Sequence, residues 1–227
     1  MKSSFAMLFA LWAVSIRPAD AQSHIVTQLP TKDKVVALTF DACETLTPSH
    51  FDSTILDYLL AEKIPFAVFA TGKFAVRNRT ELQKLSRLDF VEIENHSYNH
   101  PEHLERLKEE EIADEIKRTD DTLAAITGKR SKYFRFTAGN CDERSLKIVE
   151  GLHYQTVHWS FESGDPDKHA TPEHLIEWVL LKTKPGNILI FHINGRGYST
   201  GKALPAIADA LKKKGYRFVK LADYLTN

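Results

Sequence analysis

Two histidines four residues apart, His96 and His100, follow a β-rich run at 90–93. Imidazoles at that spacing just beyond a strand can converge on one point, and neutral imidazole is a favoured ligand of zinc and similar divalent ions. Other strand ends add weight to this pair. Asp41 closes the first β-rich run of the chain, Arg135 the fourth and His192 the sixth, while Glu162 and Asp165 follow the fifth. Carboxylates, imidazoles and a guanidinium at five such ends are the groups that acid–base and metal chemistry require.

The runs themselves lie at 35–40, 66–70, 90–93, 132–136, 155–159, 188–191 and 217–219. Between most of them the apolar residues recur at helical spacing. Residues 48–61 place Phe51, Ile55, Leu56 and Leu59 on one face, with Thr47 as the cap and Pro48 in the first turn. Residues 109–127 stop at Gly128; Asp142 caps a helix that ends before Gly151; Thr171-Pro172 opens another that runs through Trp178; and 202–214 stop at Gly215. Seven strands alternating with helices predict an α/β fold with a largely parallel sheet and no internal domain boundary. In such folds sites gather at the C-terminal ends of the strands, where the polar residues above lie.

Composition is that of a globular domain, 43% hydrophobic and 26% charged. Thirty Lys and Arg balance thirty Asp and Glu, so no basic surplus points to a nucleic-acid partner. The N-terminus has the pattern of a secretory leader: Lys2, an apolar stretch at 5–16, and Ala19-Asp20-Ala21 as a small-x-small cleavage site. Cleavage after Ala21 predicts a single domain from residue 22 to 227, periplasmic or secreted, with no stable membrane anchor. An oxidising compartment would permit Cys43 and Cys141 to pair.

The motifs resemble those of the polysaccharide deacetylases of carbohydrate esterase family 4, the NodB homology domain, from Val35 to about Leu221. His96-Ser97-Tyr98-Asn99-His100 matches the family's His-[Ser/Thr]-x-x-His motif, and Thr39-Phe40-Asp41 the start of Thr-Phe-Asp-Asp-Gly. Arg135 and Gly139 match Arg-x-x-x-Gly, residues 159–165 stand where a Trp- and Asp-rich motif belongs, and Leu189-Ile190-Phe191-His192 matches Leu-x-x-His. The resemblance implies a distorted seven-stranded β/α barrel and a metal-dependent hydrolase that removes N-acetyl groups from glycans. It implies a divalent ion, Zn2+ first, on His96 and His100, with Asp41 as general base, Arg135 pairing with Asp41, His192 as general acid and Asp165 holding His192. Trp159 would line the acetyl pocket or pack in the core. The glycine-rich segment after His192 would lie over a sugar cleft, with Arg196 and Tyr198 touching substrate.

One position departs from the family. The second Asp of the first motif, the usual metal ligand, is Ala42 here. Asp41 itself, Glu94 or Glu44 could replace it; Glu94 shares its strand face with His96 if the strand runs through both. Pairing of Arg135 with Asp41 would also draw the loops carrying Cys43 and Cys141 together, which predicts a disulfide. Three functions remain in view: de-N-acetylation of peptidoglycan or chitin-type sugars, O-acetyl ester cleavage, and a degenerate glycan-binding protein without catalysis.

Overall fold

The structure is a computed structural model that describes residues 25–225, so the expected leader at 1–21 lies outside the described residues. Eight strands form one sheet: β1 (Ile25–Val26), β2 (Val35–Ala42), β3 (Phe66–Ala70), β4 (Val91–Asn95), β5 (Tyr133–Phe134), β6 (Gln155–Val157), β7 (Asn187–His192) and β8 (Arg217–Phe218). Their order is β1-β6-β5-β4-β3-β2-β7, every ladder is parallel, and β8 pairs with the start of β2. The seven expected strands are β2 to β8, and the two-residue β1 is an addition.

Side-chain alternation sorts the strands into two faces. Val36, Leu38, Phe40 and Ala42 of β2 join Phe66, Val68 and Ala70 of β3 and Leu189 and Phe191 of β7 in one apolar cluster beneath the helices. Val35, Ala37, Ala67, Phe69, Tyr133, Val157 and Ile188 form a second cluster on the other face, inside the curl of the sheet. All of β2 is buried, as expected for a parallel strand covered on both sides. Thr39 and Asp41 continue the inner row upward from Val35 and Ala37.

The curled sheet closes on itself. Beyond β6 the Ser160 N–H donates to the Ile188 carbonyl at 2.9 Å, and Phe161 bridges Leu189 of β7 in parallel register. Lower down, Gln28 bridges Asn187. The architecture is therefore the expected distorted β/α barrel.

Among the described residues seven α-helices surround it: α1 (Ser53–Ala61), α2 (Gly72–Arg77), α3 (Arg79–Leu85), α4 (Glu109–Thr127), α5 (Glu143–Gly151), α6 (Pro172–Lys182) and α7 (Thr200–Lys213). α4 has the expected bounds. Three glutamates occupy its first turn, where they favour the helix dipole, and Gly128 ends it at φ 74°. α1 starts later than expected. Its cap is Asp52, which accepts from Thr54 N at 2.9 Å, and the Asp52 N–H is itself tied to the Ile193 carbonyl at 2.7 Å. That anchorage to the end of β7 leaves 47–51 outside the helix. α2 and α3 were not expected from the sequence. Among the described residues no helix is long and apolar enough to cross a membrane.

Candidate active site

Asp41 ends the inner row of β2, and its Oδ1 accepts from Arg135 Nη1 at 2.7 Å. Arg135 is fully buried, and its three other hydrogen bonds go to the barrel wall. Nε donates to the Val157 carbonyl at 3.1 Å, Nη2 to Thr39 Oγ1 at 2.9 Å and to the His158 carbonyl at 3.0 Å, and the guanidinium lies 3.9 Å from the Phe69 ring centre. A cation so occupied positions Asp41 and has no freedom to follow a substrate. Burial raises the Asp41 pKa, but His96 when charged, Arg135 and His192 outweigh it and bring it down to about 2. The carboxylate therefore stays ionised at neutral pH.

His96 follows β4 directly. Its Nδ1 lies 2.9 Å from the Arg135 carbonyl oxygen, which can only accept, so Nδ1 carries the proton and Nε2 presents a lone pair. That Nε2 is buried, has no hydrogen-bond partner and stands 3.5 Å from Asp41 Oδ2. Burial lowers the His96 pKa to about 4, which keeps the ring neutral, and lowers that of His100 as well. The two rings meet edge to face at 5.1 Å.

The intervening loop is bent back by left-handed residues at Ser97 (φ 64°) and His100 (φ 57°), a conformation non-glycine residues hold only under surrounding constraint. The constraint is visible. Glu115 of α4 accepts from Tyr98 N at 2.8 Å and Asn99 N at 2.7 Å through Oε2, and from Asn99 Nδ2 through Oε1. Gly72 N and Lys73 N at the start of α2 donate to the Ser97 and Tyr98 carbonyls at 3.0 and 3.2 Å. Arg118 stacks on the outer Tyr98 ring at 3.7 Å.

Across the site, His192 ends β7 with Nδ1 at 2.9 Å from Asp165 Oδ1. Asp165 is buried and saturated: Oδ2 also accepts from His192 N at 2.7 Å and Thr200 Oγ1 at 2.8 Å, and Oδ1 from Ser163 Oγ at 3.1 Å. The carboxylate fixes the ring and leaves Nε2 as its free nitrogen. Asp41, His100, His192, Trp159, Ile190 and Arg196 line one cavity of about 250 Å3, with Asp165 and Ala138 also on its wall. Trp159 thus faces the cavity, half-buried. Tyr198 is 57% exposed and is not among the lining residues.

Three expectations are corrected. Glu94 does not approach the histidine pair; its Oε2 accepts from Lys132 N and Tyr133 N, both at 2.8 Å, and burial pushes its pKa up to about 8. It braces the start of β5. Cys43 and Cys141 are both free. Cys141 packs beside Leu104, Phe134 and Phe136 in a peripheral cluster, whereas Cys43 Sγ and a nitrogen of each of His96 and His100 all lie within 4.8 Å of one another. Burial, with Asp41 nearby, pushes the Cys43 thiol well above its ordinary pKa. Glu44 is also committed elsewhere, in a two-pronged pair with Arg77 at 2.5 and 2.9 Å.

The donor set fits a divalent cation. Two neutral imidazoles converge, and one of them offers a buried lone pair that nothing else uses. Sequence reasoning missed the approach of Cys43 to the histidine pair and Glu115 as the loop anchor. For Cys43 the signal was present, since it lies two residues beyond Asp41 and period-two alternation places both on the inner side.

The sequence profile of the polysaccharide deacetylase family matches residues 28–157. A peptidoglycan-N-acetylglucosamine deacetylase of Bacillus cereus is 31% identical over 211 residues, covering 91% of this chain and 95% of its own. The peptidoglycan-N-acetylmuramic acid deacetylase PdaA of Bacillus subtilis is 30% identical over 198 residues, covering 86% and 73%. A crystal structure of a mutant CE4-family pseudoenzyme with restored enzymatic activity, its wild type from Bacillus anthracis, superposes with a TM-score of 0.79 at 25% identity over 91% of this chain and 73% of that one. With barrel, strand-end residues and profile in agreement, the chain belongs to the polysaccharide deacetylase family.

Proposed function

We propose that this protein is a metal-dependent de-N-acetylase of an N-acetylated glycan, with peptidoglycan as the first substrate choice and chitin-type sugars next. The observation that carries the reading is the placement of Asp41 and His192 on one cavity wall, each held by its own buried partner, beside the His96–His100 pair. The Bacillus cereus and Bacillus subtilis relatives named above are peptidoglycan deacetylases, and the leader-like N-terminus supports a location in the periplasm or outside the cell, where that polymer is met.

Asp41 Oδ2 is the free carboxylate oxygen, because Arg135 holds Oδ1, and it takes the proton of an attacking water. His96 and His100 would hold the cation, Zn2+ first, whose Lewis acidity polarises a carbonyl and acidifies water enough for a base as weak as Asp41. His192 delivers a proton from Nε2 to the departing amine nitrogen, while Asp165 stabilises the ring in its charged form. Trp159 and Ile190 offer an apolar wall to the acetyl methyl, and Arg196 a cationic contact at the mouth.

Acetate release from peptidoglycan fragments and chitooligosaccharides is the test, with and without chelator. Release by the metal-loaded protein, abolished by chelation and by Asp41→Asn, is expected. Ala42 favours a second reading, a glycan-binding protein without catalysis; retention of fragments with no acetate release under any metal would establish it. Acetate released only from O-acetylated glycans would indicate an esterase instead.

A further inference from the structure

We infer that Cys43 is the third protein ligand of the metal, so that the site is His2Cys and Asp41 remains free as base. This rests on the metal-dependent reading above. The chain lacks a carboxylate at Ala42, and the Ala42 side chain packs in the outer apolar cluster. The next residue turns inward. Cys43 is 3% exposed, and its Sγ lies within 4.8 Å of nitrogens on both histidines. His96, 1% exposed, supplies the independent sign of a ligand, a buried Nε2 with no partner. A tetrahedral ion with bonds of about 2.0 Å to nitrogen and 2.3 Å to sulfur holds its donors roughly 3.3–3.7 Å apart. Closing on it requires side-chain shifts on the order of an ångström.

The rival carboxylates are engaged. Glu94 accepts from two amides of the β5 segment, Glu44 is paired with Arg77, and Asp165 has four donors around it. Asp41 has one oxygen bound to Arg135 and keeps only the other. Cys43 is also tied in place through its backbone, whose carbonyl accepts from Asn194 Nδ2 at 2.6 Å.

When the ion binds, the Cys43 S–H proton passes to solvent and the sulfur–metal bond forms from the resulting thiolate. A thiolate in place of a carboxylate shifts preference toward zinc and cobalt and away from magnesium, calcium and manganese.

Cobalt(II) titration of the reduced, metal-free full chain tests the assignment, because a thiolate bound to Co2+ gives a sulfur-to-metal charge-transfer absorption in the near ultraviolet. The wild type and a Cys141→Ser variant should both show it. Cys43→Ser should lose it and bind Co2+ and Zn2+ at least about tenfold to a hundredfold more weakly. Cys43→Asp, which offers a carboxylate, should bind the metal without the absorption and guards against a merely unfolded serine variant. Wild-type protein that binds Co2+ without the absorption, or Cys43→Ser with undiminished affinity, would overturn the Cys43 assignment and leave the metal reading intact. Failure of the wild type to bind either ion would overturn both.

Discussion

Asp41 and His192 are register partners in the β2–β7 ladder. The proposed base and acid are thus set by a single parallel pairing, with the Ile193 N–H donating to the Asp41 carbonyl at 3.1 Å to close it. Each side chain has a buried ionic partner on a different segment, Arg135 for one and Asp165 for the other.

The division of labour predicts a leaving-group effect. His192→Ala should slow hydrolysis of an acetamido sugar by about 10²–10⁴-fold. It should slow an activated acetyl ester far less, because that leaving group departs without a proton. Comparison of kcat on the two substrates decides it, and equal losses would leave His192 no acid role.

Gly197 should resist any side chain. A Cβ there would lie 2.6 Å from Thr200 Oγ1 and 2.8 Å from Asp165 Oδ2, and closer still to the His192 carbonyl oxygen. Gly197→Ala is expected to displace Asp165 from His192 and reduce kcat by about 10²-fold, since misplacement on the order of 1 Å carries that penalty. Circular dichroism should show the fold retained. Unchanged kcat would mean that the 195–201 loop yields without disturbing the acid.

Glu115 holds the His96–His100 loop, the proposed metal-binding segment, from outside the site. Glu115→Ala leaves the amides of Tyr98 and Asn99 without their acceptor, at a stability cost of about 1–3 kcal/mol. Zinc affinity by competition with a chromophoric chelator should fall by about 10–100-fold although Glu115 touches no ligand. Loss of stability with unaltered zinc affinity would reduce Glu115 to a helix–loop tie.

Glu92 gives the fold a pH dependence of known sign. Its carboxyl accepts from Leu221 N at 2.7 Å and Ala222 N at 2.9 Å, and burial raises its pKa despite those two amides. A carboxyl that keeps its proton longer when folded contributes stability in full below its unfolded pKa. That contribution is lost as pH rises through the folded value. Glu92→Gln removes the titration. Urea midpoints from pH 4 to 8 should therefore decline less steeply in the variant, and parallel curves would contradict this. A constant offset from the lost acceptor oxygen is separable from the slope.

The strand ends were legible because a parallel barrel repeats one rule, strand then turn then helix, and Asp41, His96, Arg135 and His192 each obey it. α4 was legible from the helical spacing of Ile112, Ile116, Leu123 and Ile126 and from its terminal glycine. α2 and α3 were not, because their buried residues Phe74, Ala75, Leu82 and Leu85 are too sparse to trace a clear helical stripe. The mistake at Glu94 is instructive. Alternation tells which face a side chain takes but not whether it leans up or down the strand, and Glu94 leans back to the amides of 132–133. Cys43 was read as half of a bridge because export and loop proximity both favoured one. The alternation that puts Asp41 on the inner side puts Cys43 there too, and that cue, which points to the histidine pair, was passed over.

The seam where Ser160 and Phe161 dock on β7 has one further consequence. The same short stretch continues directly into Ser163 and Asp165, so zipping the last gap in the wall also delivers the support for His192. The closure of the wall and the support of His192 therefore depend on one stretch of chain, so a substitution that loosens the Phe161 bridge to β7 is expected to disturb the Asp165–His192 contact as well.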